Sequence, residues 1–153
     1  LRGMVFWLLG DLSGANWQVA GGVLLLLLLG VWPFARALNL LGLGLQPAHA
    51  LGVDTRRLQW LLYFASAVAT AAAVTTAGMI GFVGLIVPHA LRLLLGQDMR
   101  LLLPACALAG GGVLLAADIA CRVVLAPQQL PVGVMMALFG VPVFLWLLQQ
   151  RAR

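Results

Sequence analysis

There is no lysine in this sequence; all nine basic residues are arginines. That alone excludes a phosphate-cradling loop of the G-x-x-x-x-G-K-[ST] type, so if ATP drives this protein, another subunit binds it. Charge of either sign is scarce: charged residues make up 8% of the 153 residues, and four acids stand against the nine arginines for a net +5. The arginines are spread among short polar breaks rather than gathered on one face, which excludes a nucleic-acid footprint. Cysteine is nearly absent. Cys106 and Cys121 fall 15 positions apart on one predicted helix, roughly 22 Å by helical rise, too far for a disulfide. Neither intramembrane protease pattern is present. Gly10-Asp11-Leu12-Ser13 has the wrong spacing for a G-x-S nucleophile, and Asp98 and Asp118 fall at opposite ends of one span, so they cannot form an aspartyl pair.

What the sequence has in abundance is apolar length. It is 63% hydrophobic with a mean hydropathy of +1.08, and a soluble domain of this composition would lack the polar surface to cover itself. Several runs approach the roughly 20 residues a membrane-crossing helix needs. The predicted fold is an all-α, polytopic transmembrane bundle with spans at about 1–10, 17–34, 58–78, 80–96, 101–125 and 132–148. Six consecutive leucines lie in the second span, and Ala and Thr dominate the third, where small residues allow close helix approach. Trp7 and Trp17 flank the polar break 10–17, at headgroup level. The chain opens on Leu1-Arg2-Gly3 within an apolar run, which reads as a chain cut inside a helix with an N-terminal portion missing.

Residues 35–57, ARALNLLGLGLQPAHALGVDTRR, are too polar to span and too patterned to be a plain linker. Two short helices at the membrane surface fit them best. With this segment in the cytoplasm, alternation places Arg92, Arg100, Arg151 and Arg153 there too, so seven of the nine arginines share one side, as the positive-inside rule expects. The loops 10–17 and 126–131 fall outside. Arg2 lies within a helix, and Arg122 alone falls at the outer face.

Few side chains could carry chemistry. His89 could hold a metal or a proton, or it could pack beside Pro88 and satisfy the backbone carbonyl that the proline frees; no second ligand stands at metal spacing. His49 lies in the amphipathic segment and reads as solvated. Asp118 and Arg122 are four apart, one turn along a helix face. They form either an intrahelical ion pair or, with Arg122 near the outer helix end, a contact for a soluble partner. Gly78, Gly81 and Gly84 recur every three residues and predict one drifting helix face for close packing. Pro131 and Pro142 predict a defined start and a bend for the last span.

Five stretches carry a resemblance: WLLGDLSGANW at 7–17, ALGV at 50–53, GFVGLIVPHALRLLLGQDMRLLLP at 81–104, AADIACR at 116–122 and LPVGVMMALFGVPVFLWLL at 130–148. Together they resemble the permease subunits of type II ABC importers for vitamin B12, haem and iron-siderophores, and they match the C-terminal half of such a permease. The resemblance implies an inner-membrane protein without covalent chemistry of its own, its C-terminus cytoplasmic. It would work as a homodimer with two ATPase subunits, which hold ATP and Mg, and one periplasmic substrate-binding protein. It implies no cofactor or metal bound by this chain. Residues 35–57 would be the coupling helices seated on the ATPase, with Ala48, Ala50, Leu51, Gly52 and Arg56 at the contact; Gly52 falls where such loops carry a glycine, while Gln46-Pro47-Ala48 replaces the acid often found upstream. Arg122 would hold an acidic residue of the binding protein. Gly81, Gly84, Pro88 and His89 would shape a helix, and Leu130 to Pro142 would lie near the dimer interface and the translocation path. Two alternatives stand beside it. An ion-gradient-driven secondary transporter needs buried acids or a broken-helix ion site, and only Asp118 offers one. A zinc/manganese ABC permease would show more metal-coordinating side chains.

Overall fold

The computed structural model describes residues 3–4, 8–12, 14–124 and 131–151. Arg2, Trp7, Ser13, the 126–130 part of the outer loop, Leu130 and Arg153 therefore lie outside the described residues, as does much of the expected first span. Every regular element among the described residues is helical: α1 Trp17–Val31, a 3-10 turn Trp32–Phe34, α2 Ala35–Leu41, α3 Leu45–Ala50, α4 Thr55–Ala77, α5 Val83–Leu95, α6 Met99–Val124 and α7 Val132–Arg151. Among the described residues three stretches are long and apolar enough to cross a bilayer: Trp17–Leu41, Thr55–Ala77 and Met99–Val123. Helices α5 and α7 are shorter apolar helices.

Local chemistry sets these boundaries. Asn16 caps α1, its side-chain oxygen accepting from the N–H groups of Gln18 and Val19 at 3.2 and 3.4 Å, which satisfies donors that a helix start leaves open. Asp54 caps α4 through the Arg57 N–H at 3.1 Å. Within α4 the hydroxyls are turned back onto the helix itself. Ser66 donates to the Tyr63 carbonyl, Thr70 to Ser66 at 2.8 Å and Thr76 to Ala72 at 2.7 Å. A helix with several polar side chains thereby presents no unpaired hydroxyl from these residues to an apolar medium.

Helices α5, α6 and α7 pack on one another, α1 packs on α4, and α6 joins the two groups through α1 and α2. One buried cluster is Cys121, Val132 and Met136, with Leu12, Ile80, Val83 and Leu114 against it. Burial is otherwise sparse. No residue of α1 is buried, and only Leu58 is buried in α4, so these helices present their apolar faces to lipid or to other protein.

The glycine triplet departs from expectation. Residues 78–82 are not helical, and α5 starts at Val83 instead of 80. Of Gly78, Gly81 and Gly84 only Gly84 is in a helix, so the three share no helix face. Gly78 ends α4 with φ +74°, the left-handed conformation that favours glycine at a helix end. The chain then runs without helix to Phe82, whose φ of +67° is the one positive value at a non-glycine among the described residues.

Candidate functional site: two ends of a membrane bundle

The chain has two chemically distinct ends, joined by α6. Its 26 residues span about 39 Å at helical rise. At the α6 C-terminus, the 10–16 break, the 78–82 crossing and the start of α7 come together: the Asp11 N–H donates to the Ala77 carbonyl at 2.9 Å and the Val132 N–H to the Gly10 carbonyl at 3.0 Å. Glycines allow this. A Cβ at Gly10 would stand 2.9 Å from Ile80 Cγ1, one at Gly133 would run into the Leu9 carbonyl oxygen and stand 3.0 Å from that of Met79, and one at Gly140 would stand 2.6 Å from Phe82 Cβ. A Cβ at each of Gly10, Gly133 and Gly140 would meet another atom at under 3.0 Å. Nothing lies within 4 Å of a Cβ at Gly81 or Gly84.

Arg122 sits at this end, on the last turn of α6. Its Nε donates to Asp118 Oδ2 at 2.8 Å, the Arg side chain 45% exposed and the Asp side chain 19%. The expected intrahelical pair is thus formed, and it leaves the arginine nearly half open at the helix end. Because Asp118 is engaged by Arg122, the acid on which an ion-gradient mechanism would have rested is already paired.

The other end holds residues 35–57, the C-terminus of α5 with Arg92, and the α5–α6 turn. The two surface helices of 35–57 are α2 and α3. Helix α3 ends in a Schellman turn: the Gly52 N–H donates to the His49 carbonyl at 3.0 Å and the Val53 N–H to the Ala48 carbonyl at 3.1 Å. Gly52 has φ +83° with open space where a Cβ would be, so its glycine has a backbone reason. Ala48 is fully buried and packs inward, holding the turn rather than offering surface. Ala50, Leu51 and Arg56 are exposed, as are Leu43 and Leu45. Arg57 pairs with Asp54 at 2.9 Å, both groups well exposed, a geometry worth little to stability.

One residue at this end carried no sequence signal. Asn39, on α2, accepts the Met99 N–H on Oδ1 at 2.8 Å and donates from Nδ2 to Asp98 Oδ1 at 2.9 Å. Asp98 also caps α6, accepting the Arg100 N–H at 3.0 Å. The Asn39 bond, first, and the Arg100 N–H hold the Asp98 carboxyl below its ordinary value of 3.8. A crevice of about 390 Å³ opens beside this contact, lined by Leu38, Leu43, Arg92 and Asp98 among others.

His89 is half-buried behind Pro88 on α5. Its ring makes no hydrogen bond to a described residue, so it does not cap the carbonyl freed by the proline. Among the described residues no three of His, Cys, Asp and Glu are grouped as a metal site. Cys106 and Cys121 are both free thiols.

The described residues thus form a helical bundle with a glycine-packed end, an arginine-rich end and a two-helix surface segment. Comparison with known proteins fixes the class: residues 1–150 match the FecCD transport family, and the chain belongs to that family. It is 46% identical over 154 residues to the cobalamin import system permease protein BtuC of Halobacterium salinarum, covering 99% of this chain and 41% of that protein. It is 44% identical over 150 residues to the vitamin B12 import system permease protein BtuC of Yersinia enterocolitica, covering 97% and 45%. A solved structure described as an inward-facing conformation of a metal-chelate type ABC transporter superimposes with a TM-score of 0.88 at 35% identity, covering 98% of this chain and 49% of that one. The chain spans a little under half the length of these proteins.

Proposed function

We propose that this chain is the membrane-spanning part of an ATP-driven importer for a large metal chelate, with a cobalamin as the first candidate cargo. The observation that carries this is the 44–46% identity, over 97–99% of the chain, to permeases named for cobalamin and vitamin B12 import. In this reading two copies of the permease pair with two ATPase subunits, which hold ATP and Mg, and with one substrate-binding protein. Haem and iron-siderophores are chelates of the same general kind. The chain itself breaks and forms no covalent bond.

The charge distribution supports an orientation. Five described arginines (36, 56, 57, 92 and 100) stand against Asp54 and Asp98 at the 35–57 end, while Arg122 stands with Asp11 and Asp118 at the other. The positive-inside rule assigns the first end, and with it the C-terminus of α7, to the cytoplasm. The exposed residues Leu43, Leu45, Leu51 and Arg56 then face the ATPase, and Arg122 meets an acidic group on the binding protein. Transport is alternating access: ATP closes the ATPase dimer, the 35–57 segment moves, and the helices exchange which side is open.

The deciding experiment is ATP-dependent uptake into proteoliposomes holding the full permease with its ATPase and binding protein, with labelled cobalamin and a labelled ferric siderophore offered separately. Uptake of cobalamin alone is the expected result. Uptake of the siderophore alone moves the cargo assignment within the metal chelates. Uptake driven by a proton or sodium gradient in the absence of ATP overturns the importer reading altogether.

A further inference from the structure

Helix α6 begins in the grip of α2. The Met99 N–H can only donate, which fixes Oδ1 of Asn39 toward it and therefore Nδ2 toward Asp98. Asn39 thus holds both the first N–H of α6 and the carboxylate that caps it. Leu38 and Leu102 are buried on the same two helices, while the Asn39–Asp98 bond itself lies on the exposed side, beside the crevice. About 36 Å further along the same helix stands Arg122. One continuous helix therefore starts at a side-chain bridge to the 35–57 segment and ends at the half-exposed arginine of the opposite face.

We propose that Asn39 is a positioning residue for transport. Its bridge to Asp98 and Met99 couples the 35–57 segment to α6, so that occupancy at the Arg122 end and the state of the ATPase-facing end bias one another. The inference rests on the proposed ATPase contact of 35–57. Coupling of this kind is reciprocal, so it can be read from either end.

The measurement is ATPase activity of the assembled transporter in proteoliposomes, with and without the binding protein, alongside co-purification of the ATPase subunit. Asn39→Ala removes both bonds of the bridge. It should leave co-purification intact and reduce the stimulation by binding protein by about twofold to thirtyfold, the range of single-residue effects on coupling. Asp98→Ala should do the same. Asp98→Asn keeps an oxygen that accepts from Asn39 and from Arg100, and should retain most of the stimulation; a residue that merely fills space would show no such rescue. Parental stimulation in Asn39→Ala, or a loss in Asp98→Asn as deep as in Asp98→Ala, overturns the bridge. Gly52→Trp separates the two levels. If it lowers co-purification while Asn39→Ala leaves stimulation unchanged, the ATPase contact stands and the bridge falls. If Gly52→Trp leaves both co-purification and stimulation at the parental level, the ATPase contact fails and takes the coupling role of Asn39 with it.

Discussion

At the end of the bundle that holds Gly10, Phe82 and Gly133, backbone meets backbone across missing side chains; at the opposite end, one asparagine reaches between helices. The first arrangement has no slack. A Cβ at any of three glycines would require the chain to shift, and the approach is closed by main-chain bonds from Asp11 and Val132. The second consists of short helices, a Schellman turn and a pair of side-chain hydrogen bonds beside an open crevice. Its contacts can exchange partners without moving backbone through backbone. The contrast teaches where movement is cheap: the contacts at the 35–57 end can exchange, while the glycine-packed end is held by its own backbone.

The contrast can be broken most directly at Gly140. Gly140→Val drives a branched side chain into Phe82, and overpacking of this kind costs about 1–3 kcal/mol. The yield and thermal stability of the permease in a single detergent should fall sharply, while Gly84→Ala, with open space at that position, should stay within about 0.5 kcal/mol of the parent. Equal behaviour of the two variants would mean that the glycine-packed end is not tight.

At the other end Gly52→Trp should abolish ATP-driven uptake with normal insertion into the membrane. The left-handed backbone alone costs a non-glycine residue about 1–2 kcal/mol, so Gly52→Asn, which tolerates that backbone, serves as the control and should transport. Uptake by the Trp variant at the parental rate removes this segment from the coupling role.

Arg122 offers a smaller and more graded effect. A charge-assisted hydrogen bond is worth about 1.5–3 kcal/mol, so losing one should weaken binding-protein docking by about tenfold to a hundredfold. Arg122→Glu should lose more than Arg122→Ala because it adds repulsion, and the gap between them should narrow in high salt. Titration of the binding protein onto the reconstituted transporter reads all of this. Parental affinity in Arg122→Glu would leave the residue as the partner of Asp118 and nothing more.

The smallest effect is expected at His89, half-buried and without a hydrogen bond to a described residue. His89→Ala should cost no more than about 1 kcal/mol of stability and leave the metal content of the purified permease unchanged. A stoichiometric metal lost on this substitution would assign His89 a ligand role.

Much of this architecture is legible in the sequence because it is local. Apolar length marks the spans, and the four-residue spacing marks Asp118 and Arg122; Gly52 stands out only through the family resemblance, and its turn is visible only in the backbone. What resisted reading is what depends on distant partners. A period of three at 78, 81 and 84 imitates a helix face, yet the crossing it belongs to is set by Gly133 and Gly140 on the last helix. Asn39 is an ordinary polar residue in an amphipathic segment, and only folding places it against a helix cap that begins 59 positions later. The cap itself had a signal: an aspartate immediately before an apolar helical run.

The sparse burial has a practical consequence. Among the described residues nine apolar side chains are buried, while aromatic and aliphatic residues such as Trp17, Leu26, Phe64, Leu94, Leu108 and Leu138 are well exposed. The apolar surface these helices leave open is therefore covered by whatever surrounds them. A melting temperature for this chain is a joint property of protein and solvent, and it will rank detergents and lipids as faithfully as it ranks mutants.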